Sequence, residues 1–255
     1  RAQSFTVKPL ARVFAEIERA AREWPRAHRI FLADGDALAL PAGHLAAICD
    51  RLAQAFPHLQ RISCYATPVA LLRKTEAELR DLRRRKLSLV YLGIESGSDD
   101  ILRRIAKGAT QRSIAAALDK ARDAGIKVSA TVILGLGGQT RWQDHIDGTA
   151  ALVNRASPAY LSTLQLMLAP ESVRPFLARF GEPFQPQDDD GILREQKRLL
   201  ENLAPPRPVI FRSNHASNCL ALAGTLPKDQ ARLAAELDEA IAGRKNLRAR
   251  FLRGL

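Results

Sequence analysis

Carboxylates, small polar residues and glycines gather at five places where an apolar run stops. ADGDAL (33–38) sets Asp34 and Asp36 around Gly35, and CYATP (64–68) closes a second run. GIESG (93–97) leaves Glu95 and Ser96 at the end of a third. ILGLGG (133–138) packs Gly135, Gly137 and Gly138 into four positions, and LMLAP (166–170) ends the series around Leu168. Glycine permits close approach to the backbone, and a carboxylate in an apolar setting needs a partner or a ligand. Together these groups suit a ligand carrying an amine and a ribose. Gly35 lets the backbone meet the amine, Glu95 binds ammonium or hydroxyls, and residues 135–138 give a flat ring a wall. Structural roles compete at each place. Asp34 and Asp36 are common turn and cap residues. Ser96 can cap a helix starting near Asp99. The glycine cluster lacks the Lys-Ser/Thr of a phosphate loop and also fits an ordinary strand-to-helix turn.

These places sit in an alternating pattern. Leu10, Val13, Phe14 and Ile17 fall at helical spacing before Pro25. RIFLAD (29–34) then reads as a strand of the buried parallel type. Residues 45–56 read as a helix, 61–67 as a strand, and 75–84 as a helix opened by a Thr75/Glu78 capping box. A strand at 87–96, helices at 98–105 and 111–124, a strand at 127–136, a helix at 142–153 and a strand at 159–168 follow. Five strands, each preceded by a helix, predict an α/β fold with a parallel sheet, doubly wound or closed as a barrel. Ligands gather at the carboxyl ends of the strands in either case. Beyond residue 170 the rhythm changes: a polar segment at 180–191, a helix at 192–203, a short strand near 208–212 and a helix at 227–242. The division expected is a core over 1–170 and a carboxyl-terminal extension over 171–255.

Composition narrows the class. The 255 residues carry 39 Lys+Arg against 27 Asp+Glu, a net charge of +12. Such a balance can mark a nucleic-acid partner. However, the basic residues are spread along helices and are dense only at 77–86 and 244–255, and aromatics make up just 5%. Helix surface is therefore the favoured reading of this charge. No apolar stretch is long enough to span a bilayer, and no signal peptide opens the sequence. Cys49, Cys64 and Cys219 are far apart and odd in number, which suits a reducing, cytoplasmic setting.

YLGIESGSDDILRRIAKGATQRSIAAALDKARDAGIKVSATVILGLGGQT (91–140) resembles the core of radical S-adenosylmethionine enzymes. Within them it is most similar to the elongator, coproporphyrinogen-oxidase and methylthiotransferase group. FLADGDALALP (31–41), SCYATP (63–68) and FRSNHASNCL (211–220) resemble a narrower set of bacterial members, and the likeness covers residues 5–240. The resemblance implies a partial (β/α)6 TIM-like barrel, here lacking its first strand, with a mixed carboxyl-terminal extension. It implies S-adenosyl-L-methionine and a [4Fe–4S] cluster as cofactors, and an electron donor such as flavodoxin or ferredoxin. By position, Gly35 and Asp36 match the loop that meets the methionine amine. Glu95 and Ser96 match the ribose or carboxylate contact. Ser129 and Gly135 match the strand near the adenine, and Leu168 lines the adenosine pocket. Arg212, Asn214 and His215 fall in the part that faces substrate.

The family's CxxxCxxC, whose thiolates hold the cluster, is absent from the sequence. RAQSFTVKPL resembles the segment that follows the third cluster cysteine. The expectation is a chain cut just after the cluster loop, inactive alone but drawn from an active radical enzyme. A nucleoside-binding barrel that has lost its cluster, and an RNA-associated modification protein, are the alternatives. Reading the coding sequence upstream of Arg1 decides between the first two: CxxxCxxC within a few codons is expected, and a start codon there without cysteines would sink the expectation.

Overall fold

The computed structural model describes residues 6–254, so RAQSF and Leu255 lie outside it, and with them half of the segment likened to the post-cluster loop. The described chain forms two compact units whose boundaries fall elsewhere than at residue 170. One comprises residues up to Leu92 with Asp119–Val128; the other comprises Gly93–Leu118 with the chain from Ser129 onward.

The first unit is built on parallel strands β1 (Arg29–Leu32), β2 (Arg61–Tyr65) and most of β3 (Leu87–Glu95). Helices α1 (Leu10–Glu23), α2 (Ala42–Ala55), α3 (Pro68–Arg73) and α4 (Glu76–Arg84) connect them. Period-2 alternation sends Ile62, Cys64, Val90 and Leu92 to a buried face, where each is fully enclosed. Leu45, Ile48, Cys49 and Leu52 of α2 join that core. The capping box of α4 is present: Thr75 Oγ1 accepts from Glu78 N–H, and Glu78 accepts from Thr75 N–H. The buried strand expected at 29–34 is corrected. β1 is four residues long and none of them is buried. Among the described residues it pairs with β2 alone, so its other edge has no strand to cover it.

The second unit carries most of β4 (Lys127–Leu134), with β5 (Tyr160–Gln165) and β6 (Val209–Ser213) in parallel and β7 (Leu222–Leu226) antiparallel to β6. Helices α5 (Asp99–Arg104), α6 (Gln111–Asp123), α7 (Gly138–Arg155), α8 (Pro170–Phe180), α9 (Asp189–Asn202) and α10 (Gln230–Ile241) complete the chain, with α6 ending in the first unit. Two elements of this unit escaped the sequence reading, as did α3 in the first. α8 holds Pro170 at its first position and Pro175 inside, which hides its helical pattern. β7 is five residues long and contains Gly224, so it shows little alternation. α7 begins at Gly138, four residues before the expected start, because the glycine turn itself becomes its first turn.

One contact fixes the second unit with little tolerance. The backbone at Gly97, just past β3, meets the backbone of α7 at Gly148. A Cβ on Gly97 would lie 2.2 Å from Gly148 O. Gly97 N–H donates to Thr149 Oγ1 at 2.9 Å, and Gln111 Nε2 donates to the carbonyls of both Gly97 and Gly148. The obstacle is backbone, which cannot rotate away. Gly97→Ala should therefore cost about 3 kcal/mol. At this chain length that lowers the thermal midpoint by roughly 6–12 °C, readable by circular dichroism; an unchanged midpoint would show that the joint can open freely.

Candidate functional site

At the end of β3 the chain turns through a left-handed residue that is not glycine: Glu95 has φ +61°. Such backbone is strained and persists only where its surroundings enforce it. Its carboxylate folds back to Lys107, which donates from Nζ to Oε1 at 2.9 Å. Both side chains are about four-fifths buried, at 20% and 18% exposure. Gly93 makes the room, since a Cβ there would sit 2.1 Å from Glu95 Oε1 and 3.3 Å from Lys107 Nζ. The sequence demanded a partner for Glu95, and Lys107 is that partner. The Lys107-Gly108 step was visible in the motif, but the intervening helix α5 hid the pairing.

Ser96 has a different task. It is fully buried, and its Oγ accepts from Ser98 N–H at 3.0 Å. Its hydroxyl also meets His145 Nδ1 at 2.8 Å, while His145 Nε2 lies 2.9 Å from the Ile133 carbonyl. A carbonyl only accepts, so Nε2 carries the proton and Nδ1 accepts from the Ser96 hydroxyl. Burial holds the imidazole neutral, with its pKa lowered to about 4. Ser96 therefore works inside the protein, joining β3's end to β4 through α7, and its hydroxyl is engaged on both sides. Nor does it cap α5, whose N-cap is Ser98.

The glycine turn after β4 is also packed from within. Gly135 has φ +82°, and a Cβ there would stand 3.0 Å from Ile192 Cδ1. Gly138, at φ +57°, would meet Gln185 O at 2.8 Å and the Phe184 ring at 3.0 Å. Gly135 N–H donates to Glu195 Oε2 at 2.6 Å, and Gln187 Nε2 donates to Glu195 Oε1 at 3.0 Å. On their Cβ sides these glycines admit α9 and the segment before it. A side chain added at Gly135 would first strike Ile192.

The remaining expected residues separate. Ser129 is buried and lies six residues before Gly135, roughly 20 Å of extended chain. Thr131 and Ile133 share its strand face, are half-buried and stand nearer the turn. Leu168 is half-buried and lies past the end of β5. Arg212 and Asn214 are exposed, and His215 bonds locally to Ser217. The hub of that region is a residue not singled out, Asn218. It accepts from Gln165 N–H at 2.7 Å and donates to Thr163 O and Ser213 Oγ.

In the first unit, Asp36 Oδ2 accepts from both Thr67 N–H and Thr67 Oγ1, at 3.1 and 2.7 Å. Thr67 in turn caps α3. Asp36 is thus a loop clamp, the structural role the sequence left open. Gly35, at φ +125°, has nothing within 4 Å of where a Cβ would stand. Asp34 is strongly exposed and left-handed, with φ +63°. A cavity of about 560 Å³ runs beside β1, lined by Ile17, Phe31, Asp34, Gly35, Ile48 and Leu52 among others. That volume lies within the range of small-molecule pockets. Two residues on its wall, Asp36 and His44, hold buried polar atoms without a partner, Oδ1 and Nε2.

The donor set does not fit an iron–sulfur cluster. Among the described residues no group of three or more His, Cys, Asp or Glu is placed to hold a metal. Cys49, Cys64 and Cys219 are each buried, and burial pushes the first two thiols up to about 12. Cluster ligands must be thiolates.

The dense basic runs are largely engaged within the chain. Arg80 pairs with Glu76, Arg85 with Asp81, and Arg83 Nε donates to Gly125 O. In the tail, Arg248 donates to His215 O and Ala216 O, and Arg253 forks onto Asp189. No helix among the described residues is long and apolar enough to cross a membrane.

Comparison with known proteins adds independent findings. The family model described as "Radical SAM superfamily" matches residues 2–150. A search of curated proteins returns no match. Among solved structures, the chain resembles coproporphyrinogen III oxidase from Escherichia coli, itself described as a radical SAM enzyme. The TM-score is 0.59 at 19% identity, over 75% of this chain and 44% of that one. It resembles an amino-terminally deleted Elp3 from the archaeon Methanocaldococcus infernus, with TM-score 0.59 at 14% identity, over 92% and 59%. Methylornithine synthase follows, with TM-score 0.53 at 12% identity, over 75% and 54%. The chain therefore spans about half the length of these proteins. Such identities establish the fold, an α/β partial barrel of the TIM-like kind.

The buried carboxylate behind the glycine turn gives a pH test. Desolvation raises the Glu195 pKa from 4.5 to about 7. The folded chain thus holds this proton more tightly than the unfolded chain does. The resulting stability is complete below pH 4.5 and is lost as the pH rises through 7. His145 acts oppositely: its stabilisation is present above pH 6.5 and is lost as the pH falls through about 4. Urea unfolding at pH 6.5 and again near pH 8.5 therefore isolates Glu195. The wild type should lose about 0.8 kcal/mol more between them than Glu195→Gln; equal losses would contradict the assignment.

Proposed function

The chain belongs to the radical SAM superfamily, and from that premise we propose that its second unit forms part of the S-adenosylmethionine site of a radical enzyme. The observation that carries this reading is the Glu95–Lys107 pair, held on strained backbone at the end of β3 with Gly93 cleared beneath it. The amino-acid end of S-adenosylmethionine is a zwitterion. Lys107 presents an ammonium to its carboxylate, and Glu95 presents a carboxylate to its ammonium or to ribose hydroxyls. Partial burial strengthens both attractions relative to water. The His145 bridge keeps the ends of β3 and β4 in fixed relation. Thr131 and Ile133, half-buried ahead of the glycine turn, offer a flank for the adenosine.

When bound and reductively cleaved, S-adenosylmethionine supplies a 5′-deoxyadenosyl radical. The described residues contribute binding and orientation, and their cysteines hold no cluster, so its ligands lie outside them in this proposal. The substrate on which the radical acts is not specified by these residues.

Calorimetric titration with S-adenosylmethionine tests the assignment. Glu95→Ala and Lys107→Met should each weaken binding at least tenfold, since each leaves the other charge largely buried and alone. Gly93→Ala is the sharper probe. Its Cβ collides with the tip of a flexible side chain, so the fold should keep its thermal midpoint within about 3 °C while the displaced Glu95 carboxylate loses the ligand. Unchanged affinity in all three variants would refute the site.

A further inference from the structure

The exposed face of the first unit's sheet carries an aromatic platform. Parallel sheets are normally covered on both faces. Here Ile62, Cys64, Val90 and Leu92 fill one face, while Phe31, Tyr65 and Tyr91 stand on the other at 39%, 51% and 36% exposure. Register places them side by side. Phe31 pairs with Ser63, two residues before Tyr65 on the same face, and Tyr65 pairs directly with Tyr91. The rings form one cluster, with centroids 4.8, 5.3 and 6.4 Å apart and every pair edge-to-face. Aromatics are only 5% of the sequence, yet two of its three tyrosines meet here in the open.

The position suggests a ligand. Phe31 is the penultimate residue of β1 and Tyr65 the last of β2, at the carboxyl ends where α/β sheets bind small molecules. Two residues beyond β1 lies Asp34, left-handed and 86% exposed, with Lys8 Nζ no closer than 3.9 Å. Gly35 beside it is open to solvent and to any approaching group. A clustered aromatic surface with a largely exposed carboxylate three residues past Phe31 complements a flat ring that carries a positive charge or N–H donors on its edge.

We propose that Phe31, Tyr65 and Tyr91 form a stacking platform for a planar nitrogen-containing aromatic ligand, whose cationic or N–H edge is met by Asp34. The platform goes beyond the S-adenosylmethionine reading and uses none of its residues. In a superfamily enzyme it supplies a second ligand site, and its chemistry names a class of substrate: an aromatic heterocycle rather than an aliphatic chain.

The test uses tryptamine and its saturated counterpart cyclohexylethylamine as probes, followed by ligand-observed NMR on the full chain. Both carry the same ammonium, but only tryptamine has a π face. Tryptamine should bind at least tenfold more tightly than cyclohexylethylamine. The double variant Tyr65→Leu/Tyr91→Leu should lose that preference, whereas Tyr65→Phe/Tyr91→Phe should keep it. Thermal melts confirm that each variant is folded, and the phenylalanine pair provides a reading should the leucine pair unfold. Asp34→Asn should weaken tryptamine severalfold. Equal binding of the two amines, no binding of tryptamine, or full retention by a folded leucine pair would overturn the proposal. Saturating S-adenosylmethionine should leave tryptamine affinity unchanged; competition would assign the rings to the adenine of the cofactor and also overturn it. Failure of S-adenosylmethionine to bind while tryptamine still does would remove the functional reading above and leave the platform standing.

Discussion

A single neutral imidazole sets the geometry of the second unit. His145 is wholly enclosed in α7, donates to the Ile133 carbonyl and accepts from the Ser96 hydroxyl. Three elements are tied at one ring: the exit of β3, the last turn of β4 and the helix behind them. The bridge requires the uncharged tautomer, and burial supplies it by depressing the pKa to about 4. Beside it, the Gly97–Gly148 backbone contact brings α7 against the β3 exit with no side chain between. The strained Glu95 lies immediately before these two fixed points. A left-handed, non-glycine residue survives only where its neighbours over-determine it, and here the neighbours are Gly93 on one side and the Ser96–Gly97 anchor on the other.

The glycines in this chain answer two different questions. Gly35 faces open space, so its freedom is available to something outside the protein. Gly97, Gly135 and Gly138 face the protein's own backbone and side chains. Sequence alone treats all four alike, since each follows a strand. What separates them is the partner across the gap, which comes from residues 47 to 57 positions away in three cases: Thr149 for Gly97, Ile192 for Gly135 and Gln185 for Gly138. Contacts of that sequence separation leave no local periodicity to read.

The same distinction explains how much was legible. The alternation of strands and helices was readable because apolar runs and capping signals are local; the Thr75/Glu78 box needs only four residues. The glutamate at the end of β3 was readable as a residue in need of a partner. Its partner was not, because Lys107 comes from beyond a short helix in a stretch whose other basic residues face water or carboxylates. The internal partners of Ser96 and Asp36 were illegible for one reason. A hydroxyl or carboxylate at a strand end serves a ligand or a neighbouring loop equally well on paper, and only His145 and Thr67 decide between them. Glu195 gave no signal at all, because a glutamate in an amphipathic helix is ordinarily solvated.

Among the acidic residues, backbone strain falls at two strand ends. Two carboxylate residues adopt left-handed backbone, Asp34 just after β1 and Glu95 at the end of β3. Asp36, between them in the sequence and likewise acidic, does not, and it is the one whose carboxylate is engaged by a loop. A scaffold carboxylate relaxes into the geometry its hydrogen bonds prefer. The strained pair instead keep conformations that cost free energy, one with its charge largely in solvent and the other against a largely buried lysine. Strain of this kind is retained where a side chain must point in a direction that relaxed backbone would not give it. The two strand ends where it occurs are those on which the proposed S-adenosylmethionine site and the proposed aromatic platform rest.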